Sequence, residues 1–74
     1  MAVETMNCKG LKCPQPILKV AVRAPSMKAG DILEVTADCS TFETDVRTWC
    51  ERTTRTLLWI REEEGGVKKC QIQF

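Results

Sequence analysis

The chain has 74 residues, enough for one domain, and its 43% hydrophobic and 28% charged residues are typical of a globular protein. Its formal net charge of +1 argues against a general nucleic-acid binder. The first residues, MAVETMNC, do not resemble a secretory signal, and the longest apolar run, LLWI, is too short to cross a membrane. We therefore expect one cytoplasmic domain spanning residues 1–74, without direct contact to nucleic acid or membrane.

The first predicted element is a short strand at residues 2–8, whose loose alternation puts Met6 and Cys8 on one face. A helix is predicted at residues 14–24, because a proline suits the first helical position and Pro25 cannot continue the helix. Its apolar stripe consists of Ile17, Leu18, Ala21 and Ala24.

A second strand is predicted at residues 32–37, where alternation turns Leu33, Val35 and Ala37 inward. The next segment, STFE at residues 40–43, has the form of a capping box, with Ser40 at the helix cap and Glu43 reaching back to it. This pattern predicts a second helix. Its buried stripe consists of Phe42, Val46, Trp49 and Cys50.

Two more strands, TLLWIREE and VKKCQIQF, are predicted to pair across EGG, whose glycines permit the positive φ of a tight turn. The inward positions expected here are Leu58, Ile60, Cys70, Ile72 and Phe74. The resulting order is β-α-β-α-β-β. Because two helices can cover one face of a sheet, we predict a two-layer α/β sandwich.

The chain contains five cysteines and no histidine. An odd number leaves one thiol outside any closed set of disulfides, and a chain without a secretory signal is expected in the reducing cytosol. The absence of histidine excludes Cys/His zinc sites and Cys–His nucleophile pairs. A reactive cysteine therefore needs another source of activation, and nothing in the sequence implies a metal or an organic cofactor.

The segment CKGLKCPQP places Cys13 directly before the first helix. Pro14 and Pro16 lack N–H groups and have a restricted φ, so they are expected to define the first helical turn. At the cap, a Cys13 thiolate would face the positive end of the helix dipole, which can lower a cysteine pKa from about 8.5 to about 3.5–7.5. From this pattern alone, a nucleophilic Cys13 and an inert cysteine are about evenly supported.

Positive charge is concentrated around this segment. Residues 1–28 carry a net charge of +4, whereas the remainder carries −3. The basic side chains there can attract an anion or an acidic partner, although a solvated face explains them equally well. The four candidates for docking are Lys9, Lys12, Lys19 and Arg23.

The wider pattern resembles the TusA/SirA family of small sulfur carriers. The segment GLKCPQP matches the G-L-x-C-P-x-P motif of that family at the start of its first helix, and AGDILEV follows as in the family. Further matching positions are Gly30, Asp38, Asp45, Val46, Trp49, Leu57 and Leu58. The resemblance covers residues 6–74 and implies a mixed four-stranded sheet in the order predicted above.

The resemblance also implies a function. The motif cysteine, Cys13, would act in sulfur transfer by carrying sulfur as a persulfide, with Gly10, Pro14 and Pro16 positioning it. The sulfur would come from a cysteine desulfurase or a rhodanese-like protein and pass to an acceptor protein in tRNA thiolation or sulfur oxidation. The four basic side chains would stabilise the persulfide anion or dock a partner.

Four residues depart from the family pattern. Cys39 and Ser40 stand where Asp-Pro is common, Thr54 stands where a glycine usually ends the second helix, and Pro25 lies at the end of the first. Threonine is a poorer residue than glycine for the left-handed conformation that often ends a helix. These differences alter the surfaces near the helix ends, which bear on partner choice.

The other cysteines are interpreted separately. Cys50 and Cys70 lie on inward stripes and Cys8 shares a strand face with Met6, so all three are expected to be packing residues. Cys39 is expected to be a residue at the start of the second helix, but it becomes a second thiol near Cys13 if the first two strands are parallel.

An alternative function is therefore a redox-sensing or protein-interaction module that uses a Cys13–Cys39 disulfide. A metal site formed by Cys8, Cys13 and Cys39 is disfavoured, because the C-x4-C spacing is not usual for zinc and no fourth ligand is evident.

Overall fold

The computed structural model describes residues 2–74; Met1, the first residue of the predicted domain, lies outside that range. The elements follow the predicted order. The four strands are β1 (Val3–Cys8), β2 (Ile32–Ala37), β3 (Thr56–Glu62) and β4 (Lys68–Gln73), and the two helices are α1 (Gln15–Arg23) and α2 (Phe42–Arg52). Short 3₁₀ turns occupy Ala24–Ser26 after α1 and Glu64–Gly66 between β3 and β4.

The four strands form one mixed sheet in the order β1-β2-β4-β3. β1 and β2 are parallel, whereas β4 is antiparallel to both of its neighbours. The two helices cover one face of this sheet, which confirms the predicted two-layer α/β sandwich. Because β1 and β2 are parallel, the loops that leave them lie at the same edge of the sheet.

The core lies between the sheet and the two helices. Most predicted inward positions are confirmed by complete or nearly complete burial: Cys8, Leu33, Val35, Ala37, Phe42, Val46, Cys50, Cys70 and Ile72. Trp49 packs against the edge of this core, with its ring 6.1 Å from that of Phe74. The Arg55 guanidinium lies 5.4 Å from the centre of each of these two rings, so the cation packs against both members of the aromatic pair.

The prediction for β3 is wrong at Leu58. Leu57 pairs with Ile72 and Ile60 with Cys70, and the register shifts between Leu57 and Trp59. This β-bulge adds a residue to the strand, so the inward positions become Leu57 and Ile60, while Leu58 is 40% exposed. Strict alternation with a period of two residues fails because of that extra residue.

The apolar stripe predicted for α1 is wrong at Leu18, which is 56% exposed. The residues of the first helical segment that are buried are Pro16, Val20 and Ala24, at spacings of four, with Ile17 packed beside them. The helix is apolar over an arc wide enough to support either stripe, so periodicity does not choose between them. The predicted end is confirmed, because the α-helix stops at Arg23 and Pro25 lies in the following 3₁₀ turn.

The predicted capping box is also wrong. The residue at the N-cap of α2 is Thr41, and Ser40 is exposed outside the helix. Glu43 instead accepts a hydrogen bond from the Arg47 side chain at 3.1 Å and lies 3.6 Å from the Lys68 ammonium. The hydrogen bond from Arg47 is the main reason that the pKa of Glu43 lies below its usual value. Two available cations therefore hold the carboxylate away from the cap.

Thr54, which follows the C-cap residue of α2, has a left-handed conformation with φ of 56°. The left-handed conformation destabilises a non-glycine residue by about 1–2 kcal/mol, whereas glycine adopts it without this destabilisation. We therefore expect Thr54→Gly to raise the free energy of unfolding by about 1 kcal/mol, after allowing for the greater freedom of glycine in the unfolded chain. Urea denaturation measures this change.

The neighbouring Thr53→Gly is the matched control. Thr53 has φ of −99° and its hydroxyl donates to the Trp49 carbonyl at 2.7 Å, so glycine should destabilise the protein there. Equal destabilisation by both substitutions would contradict the strain assigned to Thr54.

Candidate functional site

The candidate site lies at the edge of the sheet where β1 and β2 end. The loop of residues 9–14 leads from β1 to α1, and the loop of residues 38–41 leads from β2 to α2. The two loops bring Cys13 and Cys39 together in a disulfide, with 5.5 Å between their Cα atoms. Disulfide-bonded cysteines usually have Cα atoms about 4.4–6.8 Å apart. Both positions considered for Cys39 therefore apply: it precedes α2, and it lies next to Cys13.

The two cysteines differ in exposure. Cys13 is exposed to solvent, whereas only 6% of the surface of Cys39 is exposed. The Sγ atom of Cys39 lies 3.5 Å from the Thr41 hydroxyl oxygen, and that hydroxyl donates to the Asp45 carboxylate at 2.9 Å. The Cys39 backbone carbonyl accepts the Phe42 N–H at 3.1 Å. Cys39 is thus fixed in the loop just before α2, and Cys13 faces solvent.

The start of α1 differs from the predicted arrangement. Pro14, rather than Cys13, is the N-cap residue, and its φ of −99° and ψ of 27° are not helical. The peptide bond between Cys13 and Pro14 is cis. Pro16 lies in the first turn of α1 and is fully buried. Cys13 is therefore one residue further from the helix dipole than the sequence predicted.

Gly10 and Asp38 connect the two loops. The Gly10 N–H lies 3.1 and 3.2 Å from the two carboxylate oxygens of Asp38, the residue that precedes Cys39. Gly10 has φ of 85°, a conformation that glycine adopts readily. Sequence reasoning placed Asp38 only among the positions that match the family, because a contact between distant loops leaves no local pattern.

We expect Asp38→Ala to loosen the two loops and so weaken the pairing of Cys13 with Cys39. A hydrogen bond to a charged group contributes about 1.5–3 kcal/mol, and this one is exposed, so we expect the equilibrium constant for the disulfide to fall by about tenfold. Titration of the disulfide against a glutathione redox buffer measures the constant. Asp38→Asn is the control, since its amide oxygen can still accept the Gly10 N–H; equal losses in both variants would contradict this role.

The basic side chains do not form one cluster. Lys9 and Lys12 lie in the exposed loop before α1. Lys19 and Arg23 line an open groove of about 580 Å³ beside α1, and Arg23 forms an ion pair with Glu4. The other residues that line the groove are Met6, Leu11, Gln15, Leu18, Val22 and Ser26. Sequence reasoning missed this groove, because it assigned Leu18 to the core.

The remaining three thiols are free and buried. Burial raises the pKa of Cys8, although the charge of Lys19 opposes this effect. Burial likewise raises the pKa of Cys50, against the opposing charge of Arg55, and it raises that of Cys70 to about 12. These thiols stay protonated at neutral pH, as expected for packing residues.

Within residues 2–74, no group of three or more cysteine, aspartate or glutamate side chains is arranged to hold a metal ion. Cys8, the third member of the disfavoured metal site, is buried in the core. Across the same range, no helix is both long and apolar enough to span a membrane.

Residues 4–73 match the family model described as Sulfurtransferase TusA. The chain is 37% identical over 65 residues to a protein of Neisseria meningitidis serogroup A named as a candidate sulfur carrier, and the match covers 88% of each chain. It is 35% identical over 70 residues to a similarly named protein of Halobacterium salinarum, with coverage of 95% of this chain and 86% of the relative. In fold, it resembles the crystal structure of a SirA-like protein from Desulfitobacterium hafniense, with a TM-score of 0.79, 22% identity and coverage of 99% and 96%.

Proposed function

Because the chain belongs to the TusA family of sulfurtransferases, we propose that it carries sulfur as a persulfide on Cys13 and passes it to an acceptor protein. The observation that carries this proposal is the contrast among the cysteines. Cys13 is exposed in the loop before α1, whereas the other four are buried. An incoming protein can reach only an exposed thiol.

In the loading step, the reduced Cys13 thiolate attacks the terminal sulfur of a persulfide on the donor. A new bond forms between Cys13 Sγ and that sulfur, the S–S bond of the donor breaks, and the donor thiolate leaves. Gly10 and Pro16 support the position of Cys13, because Gly10 holds the loop to Asp38 and Pro16 anchors the helix in the core. Pro14 joins Cys13 to that helix.

In the delivery step, a nucleophile of the acceptor attacks the terminal sulfur and the Cys13 thiolate leaves. The sulfur donor is a cysteine desulfurase or a rhodanese-like protein. The acceptor protein acts in tRNA thiolation or in sulfur oxidation. Lys9 and Lys12 lie in the same loop as Cys13 and can stabilise the persulfide anion. Lys19 and Arg23 line the groove beside α1 and can contact an acidic partner.

The disulfide bears on this cycle, because Cys13 bonded to Cys39 has no thiolate to accept sulfur. The form that carries sulfur is the reduced one, which a reducing cytoplasm would maintain. The same disulfide favours the alternative function, in which the protein binds a partner and the Cys13–Cys39 pair responds to the redox state.

Sulfur loading tests the proposal. Reduced protein is incubated with a cysteine desulfurase and cysteine without reductant, and intact-mass spectrometry with peptide mapping follows. We expect the mass of one sulfur atom on Cys13, no gain in Cys13→Ser, and loading in Cys39→Ser. If Cys13→Ser loads as well as the parent chain, Cys13 is not the carrier. If no variant loads from several donors, the redox-sensing alternative is favoured.

A further inference from the structure

The structure pairs the candidate carrier Cys13 with a second cysteine, Cys39. We propose that Cys39 is a resolving thiol, which attacks the Cys13 persulfide at Cys13 Sγ, releases the carried sulfur as hydrosulfide, and leaves the Cys13–Cys39 disulfide. This inference rests on the proposed function, because it starts from a persulfide on Cys13.

The bond between the two cysteines indicates the atom that is attacked. With their Cα atoms 5.5 Å apart, the two cysteines can form a direct Sγ–Sγ bond without movement of the backbone. The Asp38 carboxylate holds the two loops at this spacing through the Gly10 N–H. Attack on Cys13 Sγ gives the Cys13–Cys39 disulfide that the structure contains, whereas attack on the outer sulfur would move the persulfide to Cys39. Cys39 is therefore positioned to reach Cys13 Sγ.

Burial separates the roles of the two thiols. Cys39 is 6% exposed, so a donor protein cannot bring a persulfide to it, whereas exposed Cys13 is accessible to a donor. The Thr41 hydroxyl lies 3.5 Å from Cys39 Sγ and is itself bound to Asp45, so the attacking sulfur has a fixed position. Cys8, Cys50 and Cys70 are buried in the core and stay protonated at neutral pH. Cys39 is thus the thiol placed to resolve the persulfide.

The proposed step is balanced without an external oxidant. The Cys39 thiolate forms a bond to Cys13 Sγ, the bond between Cys13 Sγ and the terminal sulfur breaks, and hydrosulfide leaves with that electron pair. The two cysteines are together oxidised to a disulfide by two electrons, and the carried sulfur is reduced by two electrons. A dithiol reductant must then restore both thiols before the next sulfur is loaded. The disulfide is therefore a product of turnover.

The experiment follows the persulfide over time. Fully reduced protein, free of oxygen and of added reductant, is loaded by a cysteine desulfurase with cysteine, and samples are alkylated and weighed. In the parent chain, we expect an early gain of one sulfur atom on Cys13, which then decays with sulfide release to a product that has lost the mass of two hydrogen atoms. In Cys39→Ser, we expect a stable persulfide on Cys13, with a lifetime at least about tenfold longer, because an intramolecular thiol has a high effective concentration.

Ser40→Ala is the matched control, because Ser40 is exposed beside Cys39 and should leave the parent behaviour unchanged. Cys39→Ala replaces Cys39→Ser if serine disturbs folding. If the parent chain and Cys39→Ser both load and keep the persulfide equally long, the resolving role is wrong and the carrier function stands. A persulfide mapped to Cys39 would also overturn the resolving role. If neither protein loads and no sulfide is released, the carrier function itself is overturned, and the resolving role with it.

Discussion

Iodoacetamide should modify Cys13 at least about a thousandfold faster than Cys70 in the reduced, folded protein at neutral pH. Alkylation requires a thiolate, and an unperturbed thiol has a pKa of about 8.5. Burial raises the pKa of Cys70 to about 12, so Cys70 has on the order of a thousandfold less thiolate than such a thiol. Burial also excludes the reagent from Cys8, Cys50 and Cys70, whereas Cys13 is exposed.

The measurement is peptide mapping after short exposures to the reagent, with the protein first reduced by a dithiol. The same mapping in concentrated denaturant is the control, because unfolding removes the differences in burial and should make the five rates similar. Rapid labelling of Cys50 or Cys70 in the folded protein would show that solvent reaches the core and would contradict the burial of these thiols.

Phe42→Ala should remove most of the stability of the fold. Phe42 is fully buried and is among the largest side chains of the core. Truncation of a buried phenylalanine to alanine costs about 3–5 kcal/mol, and a single core in a chain of this size rarely supplies more than about 3–5 kcal/mol. We therefore expect a largely unfolded protein at room temperature, seen as loss of the cooperative thermal transition in far-ultraviolet circular dichroism.

Leu18→Ala is the control for this prediction, since Leu18 lies on α1 and is 56% exposed. The free energy of unfolding of the Leu18→Ala protein should differ from that of the parent chain by no more than about 0.5 kcal/mol. A Phe42→Ala protein with the parent melting temperature, or a Leu18→Ala protein as unstable as Phe42→Ala, would contradict the description of the core.

The sequence was sufficient for the order of elements and for the core positions whose pattern is regular. In α2, Phe42, Val46 and Cys50 recur at the helical period, and all three are buried. In β2, alternation turned Leu33 and Val35 inward. These predictions succeed because burial of one face imposes its period on the residues of a regular element.

Tertiary contacts decided the positions that the sequence could not. The bulge at Leu58 changes the facing of β3 through pairing with β4, which no local pattern records. The predicted capping box of α2 does not form, because Arg47 and Lys68 hold the Glu43 carboxylate, and Lys68 is distant in sequence. In α1, Leu18 belongs to a wide apolar arc, and packing alone determined which part of that arc is covered.

The candidate site was predictable in part. The proline-rich motif and its resemblance to a family singled out Cys13 as the candidate carrier, and that role is a proposal. Cys39 lies near Cys13 only because β1 and β2 are parallel, and a single sequence does not determine whether two strands are parallel. Its bond to Cys13 and the contact between Gly10 and Asp38 are properties of the folded chain. Both connect residues more than twenty positions apart in the sequence.

The bulge in β3 also affects how the protein resists aggregation. β1 and β3 are the edge strands of the sheet, and the unpaired N–H and C=O groups of an edge strand can pair with another chain. The extra residue at Leu58 bends β3 and interrupts the regular spacing that a second strand would need. Exposed Arg61 and Glu62 place charges further along the same strand. β3 is therefore a poorer template than a regular strand for edge-to-edge growth of the sheet.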